Sequence, residues 1–312
     1  MSTDARSTAM AVTADDLEVA ESAYRSRKRN PLSGESIFGS VSQILLIVWA
    51  LMVILPFAWM IMTAFKTDPE IIFHPWALPE SLQWNNFTRA WEGARIGTYF
   101  KNTLIVVVCS VTLTLLFSSM TAYVLARFEF PGSRWIFYMF MAGLMFPVFL
   151  ALVPLFFLVQ DFNELFGLKN NLPALILVYV AYSLPFSVFF LTSFFKTLPT
   201  ELAEAAIVDG ASHYRTFFGV MLPLARPGLL AIGIFNVLGQ WNQFILPLVL
   251  NPNPDTYLIT QGLAFLAIQQ GYQNDYSALF AALVITMVPI LVVYVLFQRK
   301  LEAGLTAGAL KG

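Results

Sequence analysis

Residues 201–228 read "ELAEAAIVDGASHYRTFFGVMLPLARPG" and hold three acids, two arginines and a histidine. The apolar runs on either side, 170–195 and 227–254, contain no Asp, Glu, Lys or Arg. An amphipathic island between two runs of that length decides the fold class, because only a chain that leaves the membrane and returns to it needs one. Pro199 suits the first turn of a helix, where Glu201 and Glu204 complement its dipole. Leu202, Ala205 and Ala206 give a small-residue apolar face, and Gly210 is a natural stop. Ser212 then caps a second short helix. In that helix Tyr214, Phe217, Phe218 and Met221 recur at i, i+3, i+4 and i+7, which predicts one aromatic face. The expectation is two short helices joined by a glycine bend, with an aromatic knob exposed. An interfacial helix on lipid headgroups remains an alternative.

Outward from the island, six stretches lack Asp, Glu, Lys and Arg and are long enough to span a bilayer: 38–65, 102–126, 135–160, 170–195, 227–254 and 276–298. A spanning helix needs about 20 predominantly apolar residues. Pro56, Pro147, Pro154, Pro185, Pro247 and Pro289 lie inside them, which is tolerable where neighbouring helices satisfy the freed backbone groups. Composition agrees. Of 312 residues 58% are hydrophobic and 12% charged, and the mean hydropathy is +0.69. Soluble domains carry about 25% charged residues. The predicted class is an all-α integral membrane protein of six transmembrane helices.

The Lys/Arg bias orients the spans. With the N-terminus inside, cytoplasmic segments hold 13 of the 18 basic residues, including the "YRSRKRN" of 24–30, and external segments hold Lys66, Arg89, Arg95, Lys101 and Lys169. Both termini are then cytoplasmic. Residues 1–36 lack the apolar core of a signal peptide and read as a disordered cytoplasmic tail. The six-span domain covers 37–300, with the loop at about 197–226, and 301–312 form a C-terminal tail.

Several functions are disfavoured. A net charge of −1 offers no bulk basicity for nucleic acid. The single cysteine, Cys109, lies in an apolar run and permits no intrachain disulfide. Apart from Cys109 and a few tyrosines, the spans contain no ionisable residue, whereas ion-coupled carriers usually bury a carboxylate or histidine. Backbone-only sodium sites keep a secondary transporter open, and a non-transporting scaffold is open as well. No G-x-x-x-x-G-K-[ST] phosphate loop is present, so power would have to come from another subunit.

The island resembles a known motif. Glu204-Ala205-Ala206, then Gly210, Val220 and Leu222-Pro223, match the "EAA" loop of ABC importer permeases at seven set positions, with Val220 standing where the family usually has Ile. The resemblance implies the type I importer permease fold. It also implies a coupling role for Glu204, Ala205, Ala206, Gly210, Tyr214, Phe217, Phe218, Leu222 and Pro223 against an ATP-binding subunit. It runs from about residue 37 to the end and is closest to the second, six-span permease of maltose-type sugar importers. "MTAFKTDPEIIFHPWALPESLQWNNFTRAW" (62–91) resembles that branch's first external loop, "QWNQFILPLVL" (240–250) its fifth-span signature, and "GLTAGALKG" (304–312) its ending.

By the same resemblance the chain would be a bacterial cell-membrane subunit that catalyses nothing and binds no cofactor or metal. A partner subunit would use ATP and Mg. The other expected partners are a second homologous permease, two ATP-binding subunits, an extracytoplasmic solute-binding protein and a sugar. An importer for a non-sugar solute is the remaining alternative within the family. Asn236, Gln240 and Gln243 share one face of the fifth span and suit hydroxyl-rich sugars, or else act as interhelical glue. Tyr179, Tyr182 and Ser183 are further candidates for the pathway. "PVFLALVP" (147–154) lacks the polar residue the branch often carries there. The segment 251–275, by the family pattern, meets the binding protein; its Tyr257, Gly262, Gly271 and Tyr272 suit a mobile, hydrogen-bonding finger, and a re-entrant or surface amphipathic loop is the alternative.

Overall fold

The computed structural model describes the backbone over 34–273 and 275–309, and side chains over 40–268 and 275–298. Within those residues it is helical, with no strand. Most of the predicted N-terminal tail and the last three residues lie outside the described residues. Two compact units are distinguished, 1–59 and 60–312. The first unit holds most of α1 (Gly34–Thr63), an apolar helix with Pro56 in its interior.

The second unit contains α2 (Asp68–Phe73), α3 (Ile96–Arg127), α4 (Ser133–Met145), α5 (Leu152–Leu165), α6 (Leu172–Thr197), α7 (Glu201–Val208), α8 (His213–Thr216), α9 (Arg226–Trp241), α10 (Ile245–Leu250), α11 (Ile259–Gln273) and α12 (Tyr276–Ala309). Five helices of the described residues are long and apolar enough to cross a membrane. A sixth qualifies when the segments 213–224 and 226–241, bent by 74°, count as one.

Two of the six predicted runs are interrupted. The third breaks at Phe146, which is extended (φ −74°, ψ 120°) because the ring of Pro147 disfavours helix in the residue before it. A 3₁₀ turn, Val148–Ala151, then leads into α5. The fifth run stops at Asn242 and resumes as α10. Pro247 brings no N–H to the Gln243 carbonyl, and the Thr260 hydroxyl donates to that carbonyl instead, at 2.8 Å.

Helices α3 and α6 pack along their length and form the centre of this unit. One core cluster gathers Tyr123, Phe195, Phe217 and Met221 at one end, and another gathers Val106, Tyr179, Leu246 and Leu250. Close approaches use glycine. A Cβ on Gly228 would meet the Phe194 ring at 2.7 Å, and one on Gly262 would meet Tyr99 at 2.0 Å.

The loop between α1 and α3 is built on polar groups, of which Lys66 and Asn86 are buried. Lys66 is fully buried, and its Nζ donates to the carbonyls of His74 (3.0 Å) and Pro75 (2.9 Å). Asn86 donates to the carbonyls of Ala64 and Lys66. Glu70 accepts from the Thr67 N–H (2.7 Å), the Thr67 hydroxyl (2.8 Å) and the Glu80 N–H (2.9 Å). Asp68 in turn accepts from the N–H and hydroxyl of Ser277, both at 2.8 Å, and so holds the start of α12.

Candidate functional site

The island forms the two predicted helices. Helix α7 ends in a glycine cap: the Gly210 N–H donates to the Ile207 carbonyl and the Ala211 N–H to the Ala206 carbonyl, both at 2.9 Å. This pair of bonds needs a left-handed residue at the bend, and Gly210 supplies it with φ +82°. Ser212 begins α8 by accepting from the Arg215 N–H. Past α8 the backbone widens into a π turn, Phe217–Met221, ahead of Pro223, which brings no N–H to the Gly219 carbonyl.

The single aromatic face expected here is divided in two. Tyr214 is 75% exposed and Phe218 45% exposed, whereas Phe217 is 5% exposed and Met221 is fully buried. Residues spaced i and i+4 stand on the outside, and those at i+3 and i+7 turn inward, because a helix lying on the body of a protein must bury one flank. Phe217 therefore serves as a root, its ring 5.1 Å from that of Tyr123 and 4.8 Å from that of Phe218. Glu204, Ala205 and Gly210 are exposed as well, while Ala206, Leu222 and Pro223 are half-buried. The result is a rigid outward patch with an aromatic tip, a form suited to a socket on a partner.

By sequence, Arg127 is one more cytoplasmic charge. In the structure its Nη1 donates to Thr200 Oγ1 at 3.1 Å and its Nη2 to the Leu198 carbonyl at 2.6 Å, just before α7. Phe128 stacks edge-on against His213 with centroids 5.6 Å apart. The only local signal was a basic residue and an aromatic closing an apolar run.

A cavity of about 1110 Å³ opens among α4, α5, α6, α9 and the turn at 146–151. Tyr182, Ser183, Asn236, Gln240 and Gln243 all line it, joined by Asp161, which no motif in the sequence singles out. Phe146, Phe149, Phe162, Phe186 and Phe235 supply much of the apolar wall, so "PVFLALVP" borders the cavity with apolar groups alone.

Asn236 and Gln240 do more than line it. Asn236 donates to Ser187 Oγ and Gln240 to Ser183 Oγ, both at 3.0 Å, and the Ser110 hydroxyl donates to Gln240 Oε1. These bonds fasten α9 to α6 and α3. Gln243 accepts from the Phe244 N–H at the helix break. Tyr179 stands apart from the cavity, fully buried in the core with no hydrogen bond to its hydroxyl.

The segment after α10 differs from a pliant finger. Gln261 is buried and donates to the carbonyls of Pro247 and Asn251 at 2.9 Å, while its own carbonyl accepts from the Leu258 N–H. Gly262 sits in α11 against Tyr99, so here it serves close packing rather than mobility. The Tyr257 ring lies 6.0 Å from those of Tyr99 and Phe265. Gly271 falls on the backbone of α11, and the Tyr272 side chain lies outside the described residues.

The family described as "binding-protein-dependent transport system inner membrane component" matches residues 114–307. The diacetylchitobiose uptake system permease protein NgcG of Streptomyces coelicolor is 51% identical over 91% of this chain and 92% of its own length. The arabinooligosaccharides transport system permease protein AraQ of Halalkalibacterium halodurans is 36% identical over 84% of this chain and 93% of its own. In three dimensions a chain of a bacterial ABC transporter involved in alginate import matches with a TM-score of 0.72 at 21% identity, over 86% of this chain and 99% of that one.

Proposed function

The chain belongs to the family of binding-protein-dependent transport system inner membrane components, and from that membership we propose how it works within an ATP-driven importer of short oligosaccharides. It is a multi-pass permease subunit and carries out no catalysis itself. The pathway is shared with a second, homologous permease. Two ATP-binding subunits, using ATP and Mg, dock on the α7–α8 loop, and an extracytoplasmic solute-binding protein delivers the sugar. Both termini are cytoplasmic, in keeping with the Lys/Arg bias of the loops.

The observation that carries this reading is the bent loop, with Tyr214 and Phe218 outward and Phe217 rooted in the core. A rooted aromatic ridge transmits displacement, whereas a loose loop would absorb it. Closure of the ATP-binding subunits moves the loop, and the spans switch between inward- and outward-facing states.

For the substrate, the two permease relatives belong to uptake systems for diacetylchitobiose and arabinooligosaccharides. The cavity suits that class. Beside Asp161, its amides and hydroxyls can bond sugar hydroxyls as neutral donors and acceptors, and its aromatic rings offer apolar faces.

The test is reconstitution of the full transporter in liposomes with labelled diacetylchitobiose. Uptake that needs ATP, together with loss of the ATP-binding subunit from a Tyr214→Ala/Phe218→Ala complex, is the expected result. Uptake by this chain without any ATP-binding subunit would replace this reading with an ion-coupled carrier.

A further inference from the structure

Arg127 ends α3 and reaches Leu198 and Thr200, two of the three residues between α6 and α7. Two observations distinguish this from an ordinary surface contact. Thr200 occupies the N-cap of α7, yet its side chain makes no capping bond to that helix. A threonine there ordinarily accepts from a backbone N–H of the first turn; here its oxygen accepts from Arg127. Leu198 follows the last residue of α6, where the final carbonyls have no helical donors. A guanidinium at that place satisfies one of them and complements the negative end of the dipole.

The same end of α3 also grips α8 and the turn after it. Tyr123, one turn before Arg127, packs on Phe217 and on Phe195, with centroids 5.1 and 5.7 Å away, and Phe128 packs on His213. The chain itself joins the loop only to α6 and α9. Side chains alone join it to α3, and α3 carries Ser110, the donor to Gln240 on the cavity wall.

We propose that Arg127 is a positioning residue that locks the α7–α8 loop to α3, so that a push on the loop moves α3, and with it the cavity wall, as one body with α6 and α9. This rests on the reading of the loop as the docking point of the ATP-binding subunit. The role needs a planar fork with two donors aimed at two acceptors, which lysine, a point charge, reproduces only in part.

The test compares diacetylchitobiose transported per ATP hydrolysed in complete transporters carrying Arg127→Gln, Arg127→Lys, Thr200→Val, or Arg127→Gln with Thr200→Val. Arg127→Gln is expected to lower that ratio roughly tenfold, within the range of ordinary coupling energies, while the ATP-binding subunit still co-purifies. Arg127→Lys should recover part of the loss, and Thr200→Val should shift the ratio the same way. The double substitution should be no worse than Arg127→Gln alone, because both remove one link. A wild-type ratio in Arg127→Gln, or additive effects of the two substitutions, overturns the proposal. If Arg127→Gln does not fold, wild-type ratios in both Thr200→Val and Arg127→Lys overturn it. Tyr214→Ala/Phe218→Ala serves as the control for the underlying reading. Should that variant keep its ATP-binding subunit and its uptake, the docking role itself fails. Should it lose them while Arg127→Gln behaves as wild type, only the role of Arg127 fails.

Discussion

Gly210 has one structural duty and, in the proposed importer, one functional duty, and substitutions separate them. Its φ of +82° closes the cap of α7, and a Cβ placed there meets nothing within 4 Å. Gly210→Asn, which tolerates the left-handed region, should therefore keep the bend. Gly210→Ala should cost about 1 kcal/mol of local stability. Gly210→Asp projects a carboxylate from the docking patch. It should leave the protein in the membrane and uncouple ATP hydrolysis from uptake, measured as hydrolysis that no longer responds to the loaded binding protein. Wild-type uptake in Gly210→Asp would remove Gly210 from the coupling surface.

Among elements, one carboxylate in the loop between α1 and α3, that of Glu70, carries three bonds. The N–H groups of Thr67 and Glu80 and the hydroxyl of Thr67 hold the Glu70 carboxyl below its ordinary value of 4.5. A depressed folded pKa means that the ionised form is favoured by the folded loop. The stability it contributes is complete above about pH 4.5 and is lost as pH falls through the lower folded value. Acidification below that window should loosen α2, read as lower amide protection, relative to the intrinsic exchange rate at the same pH, at Thr67 and Glu80. Glu70→Gln should abolish this pH dependence, and protection that remains equally acid-sensitive in Glu70→Gln would show that another group controls the loop.

At the level of the whole molecule, Gln240 and Asn236 tie three helices while bordering the cavity. Removing Gln240 alone takes the partner from the buried Ser183 hydroxyl, whereas Ser110 keeps the Val106 carbonyl; an orphaned hydroxyl costs more than removing both partners. In a double-mutant cycle of Gln240→Leu and Ser183→Ala, the coupling energy should be about 0.6 kcal/mol, the average for such bonds in membranes. Equilibrium unfolding in mixed detergent measures it. A coupling energy of zero would leave the Gln240–Ser183 bond without a part in stability.

Much of this protein could be read from sequence because lipid leaves few alternatives. Backbone groups in hydrocarbon must bond internally, so apolar runs free of charge become helices, and charged Glu201–Arg226 had to leave the bilayer. Gly210 and Ser212 announced their turns through local chemistry alone. The division of Tyr214 and Phe218 from Phe217 and Met221 could not be read the same way. Period 3.6 places all four near one side, and only the body beneath the helix decides which flank is covered. Gly262 misled for a similar reason: a glycine's freedom is local, but its use against Tyr99 depends on a helix distant in sequence. Sequence by itself determined the class, four of the six spans as unbroken helices, and the bent loop, since hydrophobic length and backbone conformation are properties of short segments. Tertiary structure alone decided that Arg127 meets Thr200 and that Gln240 meets Ser110 and Ser183, because a hydrogen bond between side chains 57 to 130 residues apart exists only once packing has brought the helices together.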